Sequence, residues 1–115
     1  MARVLVADDD PDILMLVEMR VTHLGHEVVT APDGERALTL LREQPFDLLV
    51  VDNIMPRMTG VELVGVVRAE PHATRLPIIM MSALGDSGAD VDVSLGKPFS
   101  LQNLAEHVTR LLLVA

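Results

Sequence analysis

The sequence predicts an α/β fold, a doubly wound, five-stranded parallel β-sheet with helices on both faces. Short runs of apolar residues bounded by turn residues recur along the chain, and such runs are typical of strands buried on both faces. Segments whose apolar residues have helical spacing separate most of these runs. Strands that alternate with helices indicate βαβ units, which build a parallel sheet.

The first half of the chain contains two predicted strands and two predicted helices. Residues 3–7 are an apolar run and form the first strand. Asp10 followed by Pro11 favours a helix start, because Asp is a common N-cap and Pro fits the first helical position. Gly25 is a typical stop for that helix. The second strand covers residues 27–31, and the turn Pro32-Asp33-Gly34 precedes a second helix marked by Ala37, Leu38 and Leu41.

The second half begins with the most apolar strand, residues 47–52, in which four apolar residues end on Asp52. Helical spacing from Gly60 to about Glu70 predicts the third helix. Residues 77–81 form the fourth strand, which ends at Ser82. Alternating apolar and polar residues predict a half-exposed fifth strand, marked by Val91, Val93 and Leu95. Ser100 is positioned to cap a last helix, whose apolar face is Leu101, Leu104, Val108 and Leu111.

The connection between the fourth and fifth strands is unusually short. Residues 84–90 contain two glycines and a serine, a composition that disfavours a helix. A parallel crossover usually needs about a dozen residues or more. We therefore expect residues 84–90 to form a mobile loop or at most one helical turn.

Composition limits the classes of function. The length fits a single domain over residues 1–115. The absence of cysteine excludes disulfides, thiolate metal sites and a cysteine nucleophile. No apolar run has the length of about 18 residues that a membrane span needs, and no signal peptide is recognisable, so we expect a cytoplasmic location. The net charge of −8 argues against nucleic-acid binding and suits a cation or a basic partner.

Polar residues end four of the predicted strands: Asp8 and Asp9 the first, Asp52 the third, Ser82 the fourth and Lys97 the fifth. The carboxyl ends of parallel strands share one edge of the sheet, where ligands bind. Clustered carboxylates repel one another unless a cation lies among them, and hard oxygen ligands suit Mg²⁺ or Mn²⁺. Lys97 and Ser82 suit phosphoryl oxygens. Asp52 is then a candidate nucleophile that forms an aspartyl phosphate.

With these residues, the chain resembles the response-regulator receiver domain of bacterial two-component signalling, of the chemotaxis-regulator type. The resemblance runs from Val4 to about Leu113. Its matching pieces keep the family's order along the chain: Val4-Leu5-Val6-Ala7-Asp8-Asp9, Asp52 with Met55-Pro56 and Gly60, Ser82-Ala83, and Lys97-Pro98-Phe99. Each piece is short, and their order and their position at strand ends carry the resemblance.

The resemblance implies a flavodoxin-like strand order 2-1-3-4-5 and a role for each site residue. Asp52 resembles the phosphoacceptor, and the donor would be a sensor histidine kinase or a phosphotransfer protein. Asp9 resembles a direct Mg²⁺ ligand, Asp8 a ligand through water, and Ile54 a ligand through its backbone carbonyl. Ser82 resembles the hydroxyl residue that moves onto the phosphoryl group. Lys97 resembles the lysine that pairs with that group, and the Lys97-Pro98 bond is a cis candidate.

The chain departs from the family at two places. Ser94 occupies the position of an aromatic switch residue, and the segment after Ser82 is short by about seven residues, roughly two helical turns. The fourth helix of the family is therefore expected to be shortened or missing. We expect Ile79, Met81 and Val93 to lose part of their cover, and the exposed side to pair with another chain, a homodimer being one form. Phosphorylation would then order the loop through Ser82.

Three alternative functions compete with that of a phosphoacceptor. A receiver-like interaction module that signals without phosphorylation stays open, because both departures fall on the family's output surface. A phosphatase with an Asp nucleophile usually has a second Asp two residues on, where this chain has Ile54. A dinucleotide-binding domain is excluded because no G-x-G-x-x-G follows the first strand. We expect a signalling protein and not an enzyme. The sequence leaves open the output partner of this protein and whether the chain is part of a longer reading frame.

Overall fold

The computed structural model describes residues 2–83 and 88–113. Within these ranges five strands form one parallel sheet in the order β2-β1-β3-β4-β5, which confirms the predicted order 2-1-3-4-5. The strands are β1 (Arg3–Ala7), β2 (Glu27–Ala31), β3 (Leu48–Asp52), β4 (Ile78–Ser82) and β5 (Val93–Gly96). The helices are α1 (Pro11–His23), α2 (Gly34–Glu43), α3 (Gly60–Ala69) and α4 (Leu101–Leu113).

Each of the four helices among the described residues begins with a side chain that accepts a hydrogen bond from a backbone N–H of its first turn. Such caps satisfy amides that have no partner inside the helix. The capping residues are Asp10 for α1, Asp33 for α2, Thr59 for α3 and Ser100 for α4. Asp10 and Ser100 confirm the two caps that the sequence predicted. Because every helix follows a strand, the caps fix the loops at the carboxyl edge of the sheet.

The side chains of the sheet alternate between two hydrophobic layers, because successive residues of a strand point to opposite faces. One layer packs with α2 and α3, and the other with α1 and α4. β3 and β4 are buried along their whole length. The strand residues of the first layer are Leu5, Ala7, Ala31, Leu49, Val51, Ile78 and Met80, and those of the second are Val4, Val6, Leu48, Val50, Ile79, Met81 and Leu95.

The prediction that Ile79 and Met81 lose their cover is wrong. Both side chains are 0% exposed. They belong to the layer that packs with α1 and α4, so the short connection after β4 does not uncover them. Val93 is half-buried and packs against the same layer. Ile78 and Met80, on the opposite face of β4, are also 0% exposed, so both faces of this strand are covered.

No helix lies between β4 and β5 among the described residues, where the family has a fourth crossover helix. The prediction of a mobile loop or one helical turn for residues 84–90 falls largely on 84–87, which lie outside the described residues. Residues 88–90, which are described, are not helical. Pairing of this side with another chain stays a prediction.

The longest helices, α1 and α4, have 13 residues each. A transmembrane helix needs about 20 apolar residues. In the part of the chain that the structure describes, no helix is long and apolar enough to span a membrane.

Candidate functional site

The predicted acidic residues come together at the carboxyl edge of β1 and β3. These strands are neighbours, with Ala7 opposite Val51, so the residues that follow them lie side by side. Asp8 is 0% exposed and Asp52 is 5% exposed, whereas Asp9 faces solvent. A buried carboxylate needs a partner, because transfer of a charge out of water is costly.

One carboxylate oxygen from each of Asp8, Asp9 and Asp52 lies within 4.8 Å of the others. Mg²⁺ takes six oxygen ligands at about 2.1 Å, which places neighbouring oxygens about 3 Å apart. A small approach of the three side chains would bring their oxygens to that spacing. The donor set, three hard carboxylates with one of them open to solvent, fits Mg²⁺ or Mn²⁺ with water completing the coordination.

Lys97 supplies the positive charge of the site. Its Nζ lies 3.2 Å from Asp8 Oδ2 and 3.2 Å from Asp52 Oδ1. Its backbone N–H donates to the carbonyl of Ser82 at 2.9 Å, so Lys97 is bound to β4 and to both buried carboxylates. The Lys97-Pro98 peptide bond is cis, as the family resemblance implied.

Burial and charge shift the protonation equilibria of two of these groups. Burial raises the pKa of Asp8 above its ordinary value, and the negative charge of Asp52 acts in the same direction. The N–H of Asp10, which donates to Asp8 Oδ1 at 2.9 Å, and Lys97 offset part of the rise. Partial burial lowers the pKa of Lys97, but hydrogen bonds and charges of Asp52 and Asp8 outweigh it, so that the pKa of Lys97 is raised overall.

The loop that follows Asp52 is fixed by the start of α3. The N–H of Gly60 donates to the carbonyl of Asn53 at 2.8 Å, and Asn53 Oδ1 accepts from the N–H of Val61 at 3.3 Å. A Cβ at Gly60 would lie 2.4 Å from the carbonyl oxygen of Asp52, so only glycine fits this contact. The backbone of Asp52 therefore rests directly on α3.

The attachment of α3 to this loop was not predicted from the sequence. Thr59 and Glu62 form a capping box, in which each side chain accepts from the other residue's backbone N–H. The spacing Thr-x-x-Glu is a known signature of a helix start and could have located α3 from the sequence. The role of Asn53 Oδ1 had no local signal, because it depends on the path of the loop.

Ser82 ends β4 and Ile54 follows β3 by two residues, and their side chains differ in exposure. Asp52 lies opposite Met81 in the β3–β4 ladder, so Ser82 is one step beyond it at the same edge of the sheet. Ser82 is 1% exposed. The side chain of Ile54 is exposed, and the role of its backbone carbonyl as a metal ligand stays a prediction.

A protein-family model and known proteins match this chain over most of its length. The family model of the response regulator receiver domain matches residues 4–109. The probable transcriptional regulator ycf27 of Cyanophora paradoxa is 38% identical over 117 positions, which cover 96% of this chain and 48% of that protein. The chain thus spans about half the length of the first curated relatives it matches, 48% and 43% in two cases.

Solved structures share the fold over nearly the whole chain. The receiver domain of the Francisella response regulator 1452 superposes with a TM-score of 0.90 at 31% identity, covering 97% of each chain. The response regulator TrrA of Thermotoga maritima, solved in complex with Mg²⁺ and BeF, has a TM-score of 0.85 at 32% identity. That alignment covers 97% of this chain and 100% of the TrrA chain.

Proposed function

The chain belongs to the response regulator receiver domain family of two-component signalling, and we propose that Asp52 is the residue that accepts its phosphoryl group. One observation carries this proposal. Asp52 is a 5% exposed carboxylate whose Oδ1 lies 3.2 Å from Lys97 Nζ, and it belongs to the cluster with Asp8 and Asp9. The fold therefore holds the Asp52 carboxylate in place, with the ammonium group of Lys97 beside it.

In the proposed reaction a carboxylate oxygen of Asp52 attacks the phosphorus of a phosphohistidine on the partner. An O–P bond forms and the P–N bond breaks, and the electron pair of that bond returns to the imidazole ring of the donor. The product on Asp52 is an acyl phosphate. Lys97 Nζ, which contacts Asp52 before transfer, pairs afterwards with a phosphoryl oxygen. The hydroxyl of Ser82 would donate to another phosphoryl oxygen.

Catalysis of phosphoryl transfer depends mainly on positioning and on stabilisation of negative charge. We infer that Asp8, Asp9, Asp52 and the backbone carbonyl of Ile54 hold a Mg²⁺ ion, or Mn²⁺ in its place. When bound, the ion neutralises charge on the phosphoryl oxygens and aligns the group with Asp52. Lys97 holds Asp8 and Asp52 together, which keeps the attacking oxygen fixed.

The phosphodonor that we propose is a sensor histidine kinase or a phosphotransfer protein. The receiver assists its own phosphorylation and dephosphorylation but turns over no separate substrate, so we do not class it as an enzyme. We further propose that residues 1–115 act as one receiver domain in the cytoplasm. The net charge of −8 argues against direct nucleic-acid binding by this domain.

The competing function is an interaction module that signals without phosphorylation. It is motivated by Ser94, which is exposed on β5 at the position of the family's aromatic switch residue. The two functions differ in one observable. A phosphoacceptor gains the mass of one phosphoryl group when it is incubated with Mg²⁺ and acetyl phosphate, and an interaction module does not.

Intact-mass spectrometry of the wild-type chain and of Asp52→Asn tests the proposal. We expect a single Mg²⁺-dependent phosphoryl adduct on the wild type and none on the variant. Asp47→Asn is a suitable control, because Asp47 directly precedes β3, at the end opposite to Asp52, and accepts from the N–H of Arg3. Equal labelling of Asp52→Asn and wild type would assign the acceptor to another residue, and an unlabelled wild type would favour the interaction module.

A further inference from the structure

Arg68, in the last turn of α3, joins two segments that are distant from it in the sequence. Its side chain is only 15% exposed. Nη1 donates to the carbonyls of Leu76 at 2.6 Å and Thr74 at 3.1 Å, just before β4. Nε donates to the carbonyl of Asp90 at 2.9 Å, and Nη2 lies 3.3 Å from Asp92 Oδ2, just before β5. One guanidinium therefore holds the starts of both strands.

Asp92 completes this arrangement. Its Oδ2 accepts from the backbone N–H of Ile78 at 2.8 Å, and its own N–H donates to the carbonyl of Ile78 at 2.9 Å. Asp92 and Ile78 thus exchange two hydrogen bonds at the start of the β4–β5 pair. Arg68 neutralises the carboxylate that makes one of these bonds and fixes its orientation.

β5 is short and only partly buried, and Val91 and Val93 at its start pack against the two hydrophobic layers. It has four residues and lies at the edge of the sheet, paired with β4 alone, and only Leu95 in it is buried. The connection from β4, residues 83–92, is at the lower limit of about 10–12 residues for a parallel crossover. In the described part of this connection no helix packs on the sheet to anchor the strand that follows.

We propose that Arg68 is a positioning residue for phosphoryl transfer, because it fixes β5 and thereby places Lys97 against Asp52. Lys97 directly follows the last residue of β5 and lies five positions after Asp92. An extended strand of that length spans about 17 Å and transmits a shift at its start to its end. This inference rests on the proposed roles of Asp52 and Lys97.

The chemistry of the contacts favours arginine. The guanidinium has five N–H donors in a planar fork, and here it reaches three carbonyls and a carboxylate. An ammonium group on a shorter stem cannot reach all of them at once. This role has no local signal in the sequence, because Arg68 and Asp92 are 24 positions apart.

The first test compares Arg68→Met with Arg42→Met. Arg42 forms an exposed ion pair with Glu70, so its replacement changes the net charge equally without touching β5. We expect Arg68→Met to slow labelling by acetyl phosphate about tenfold, since a small misplacement of a catalytic group has effects of about 10–100-fold. Arg42→Met should stay within about twofold of wild type. Equal rates for both variants would overturn the proposal.

A double-mutant cycle separates positioning of Lys97 from a general structural effect. In a Lys97→Met background, Arg68→Met should slow labelling no further, because the group on which Arg68 acts is gone. A full, independent loss in that background would contradict action through Lys97. If Arg68→Met does not fold, Arg68→Lys takes its place in both tests, with a loss in the same direction.

Hydrogen exchange tests the inference independently of phosphorylation. The N–H of Lys97, which donates to Ser82, should exchange at least about tenfold faster in Arg68→Met than in Arg42→Met, because its protection depends on docking of β5. Equal exchange in both variants would overturn the positioning role. An unlabelled wild type would instead refute the proposed function, and the two failures are thereby distinguishable.

Discussion

Lys97 Nζ lies 3.2 Å from Asp8 Oδ2, although 89 positions separate the two residues in the chain. The same ammonium group lies 3.2 Å from Asp52 Oδ1. One positive charge therefore faces two buried carboxylates, and Asp9 adds a third negative charge at the rim of the site. The local excess of negative charge is what a divalent cation and a phosphoryl group would balance together.

Mg²⁺ affinity should depend on Asp9 far more than on Asp10. Asp9 is a member of the acidic cluster, whereas Asp10 Oδ1 accepts from the N–H of Asp12 and caps α1. A ligand that binds only the native state raises the midpoint of thermal unfolding. We expect Mg²⁺ to raise this midpoint in the wild type and in Asp10→Ala, and to have little effect on Asp9→Ala. The measurement is thermal unfolding across a Mg²⁺ titration.

Asp10→Ala also serves as the internal control for that titration. Loss of an N-cap costs about 1 kcal/mol, so this variant should be less stable and yet keep its response to Mg²⁺. Equal losses of the Mg²⁺ response in the two variants would show that the metal is held by a different carboxylate.

Replacement of Lys97 by Met should destabilise the metal-free protein. The variant leaves Asp8 and Asp52 buried without their cation, and an unpaired buried charge typically costs about 3–5 kcal/mol. Because the Lys97 side chain is 22% exposed, we expect a smaller loss of about 1–3 kcal/mol in the free energy of unfolding. Urea denaturation in the presence of EDTA measures it. Addition of Asp8→Asn to Lys97→Met should recover part of the loss, and no recovery would contradict this account.

The stability of the metal-free protein should fall as pH rises through the titration of Asp8. Because burial raises the pKa of Asp8 above its ordinary value of 3.8, the native state holds this proton more tightly than the unfolded state. The stabilisation from proton binding at Asp8 is therefore complete below the unfolded-state pKa, and it is lost as pH rises through the raised native pKa. Asp8→Asn should remove this loss and be more stable at pH 7 by about 0.5–2 kcal/mol.

Thermal unfolding in EDTA at several pH values checks the role of Asp8. Glu18→Gln on the exposed face of α1 is the control, and it should leave the pH profile as in the wild type. If Asp8→Asn and the wild type lose stability in parallel over the same pH range, Asp8 is not the group responsible.

Substitution of two glycines of α3 should have opposite effects. A Cβ at Gly60 would lie 2.4 Å from the carbonyl oxygen of Asp52, so Gly60→Ala should cost about 1–3 kcal/mol and slow phosphoryl uptake. A Cβ at Gly65 meets nothing within 4 Å, and alanine there should stabilise the helix by up to about 1 kcal/mol. Urea denaturation and labelling by acetyl phosphate measure both variants. Similar behaviour of the two would show that the contact with Asp52 is unimportant.

The fold and the membership of the acidic site were predictable from the sequence, because their signals are local. Apolar runs ending on Asp8 or Asp52, and caps such as Asp10, reveal strands and helix starts within a few residues. The resemblance to a known family supplied the strand order. The exposure of Ile79 and Met81 was predicted wrongly, because the residues that cover a strand come from helices far away in the chain.

The contacts of Arg68 could not be predicted for a related reason. They join α3 to Asp90 and Asp92 across the β4–β5 connection, and their formation depends on how closely the two strand starts approach. Lys97 was assigned to the site by its motif, but its simultaneous contact with Asp8 and Asp52 required three-dimensional distances. Long-range electrostatic pairs of this kind leave no periodic pattern in a sequence.

The most direct test of the central claim is to locate the phosphoryl group chemically. After incubation with Mg²⁺ and acetyl phosphate, borohydride reduces an aspartyl phosphate to homoserine, and peptide mass spectrometry identifies the converted residue. The account predicts homoserine at position 52 alone, and none when Mg²⁺ is withheld. Conversion at Asp8 or Asp9 with Asp52 unchanged would contradict it.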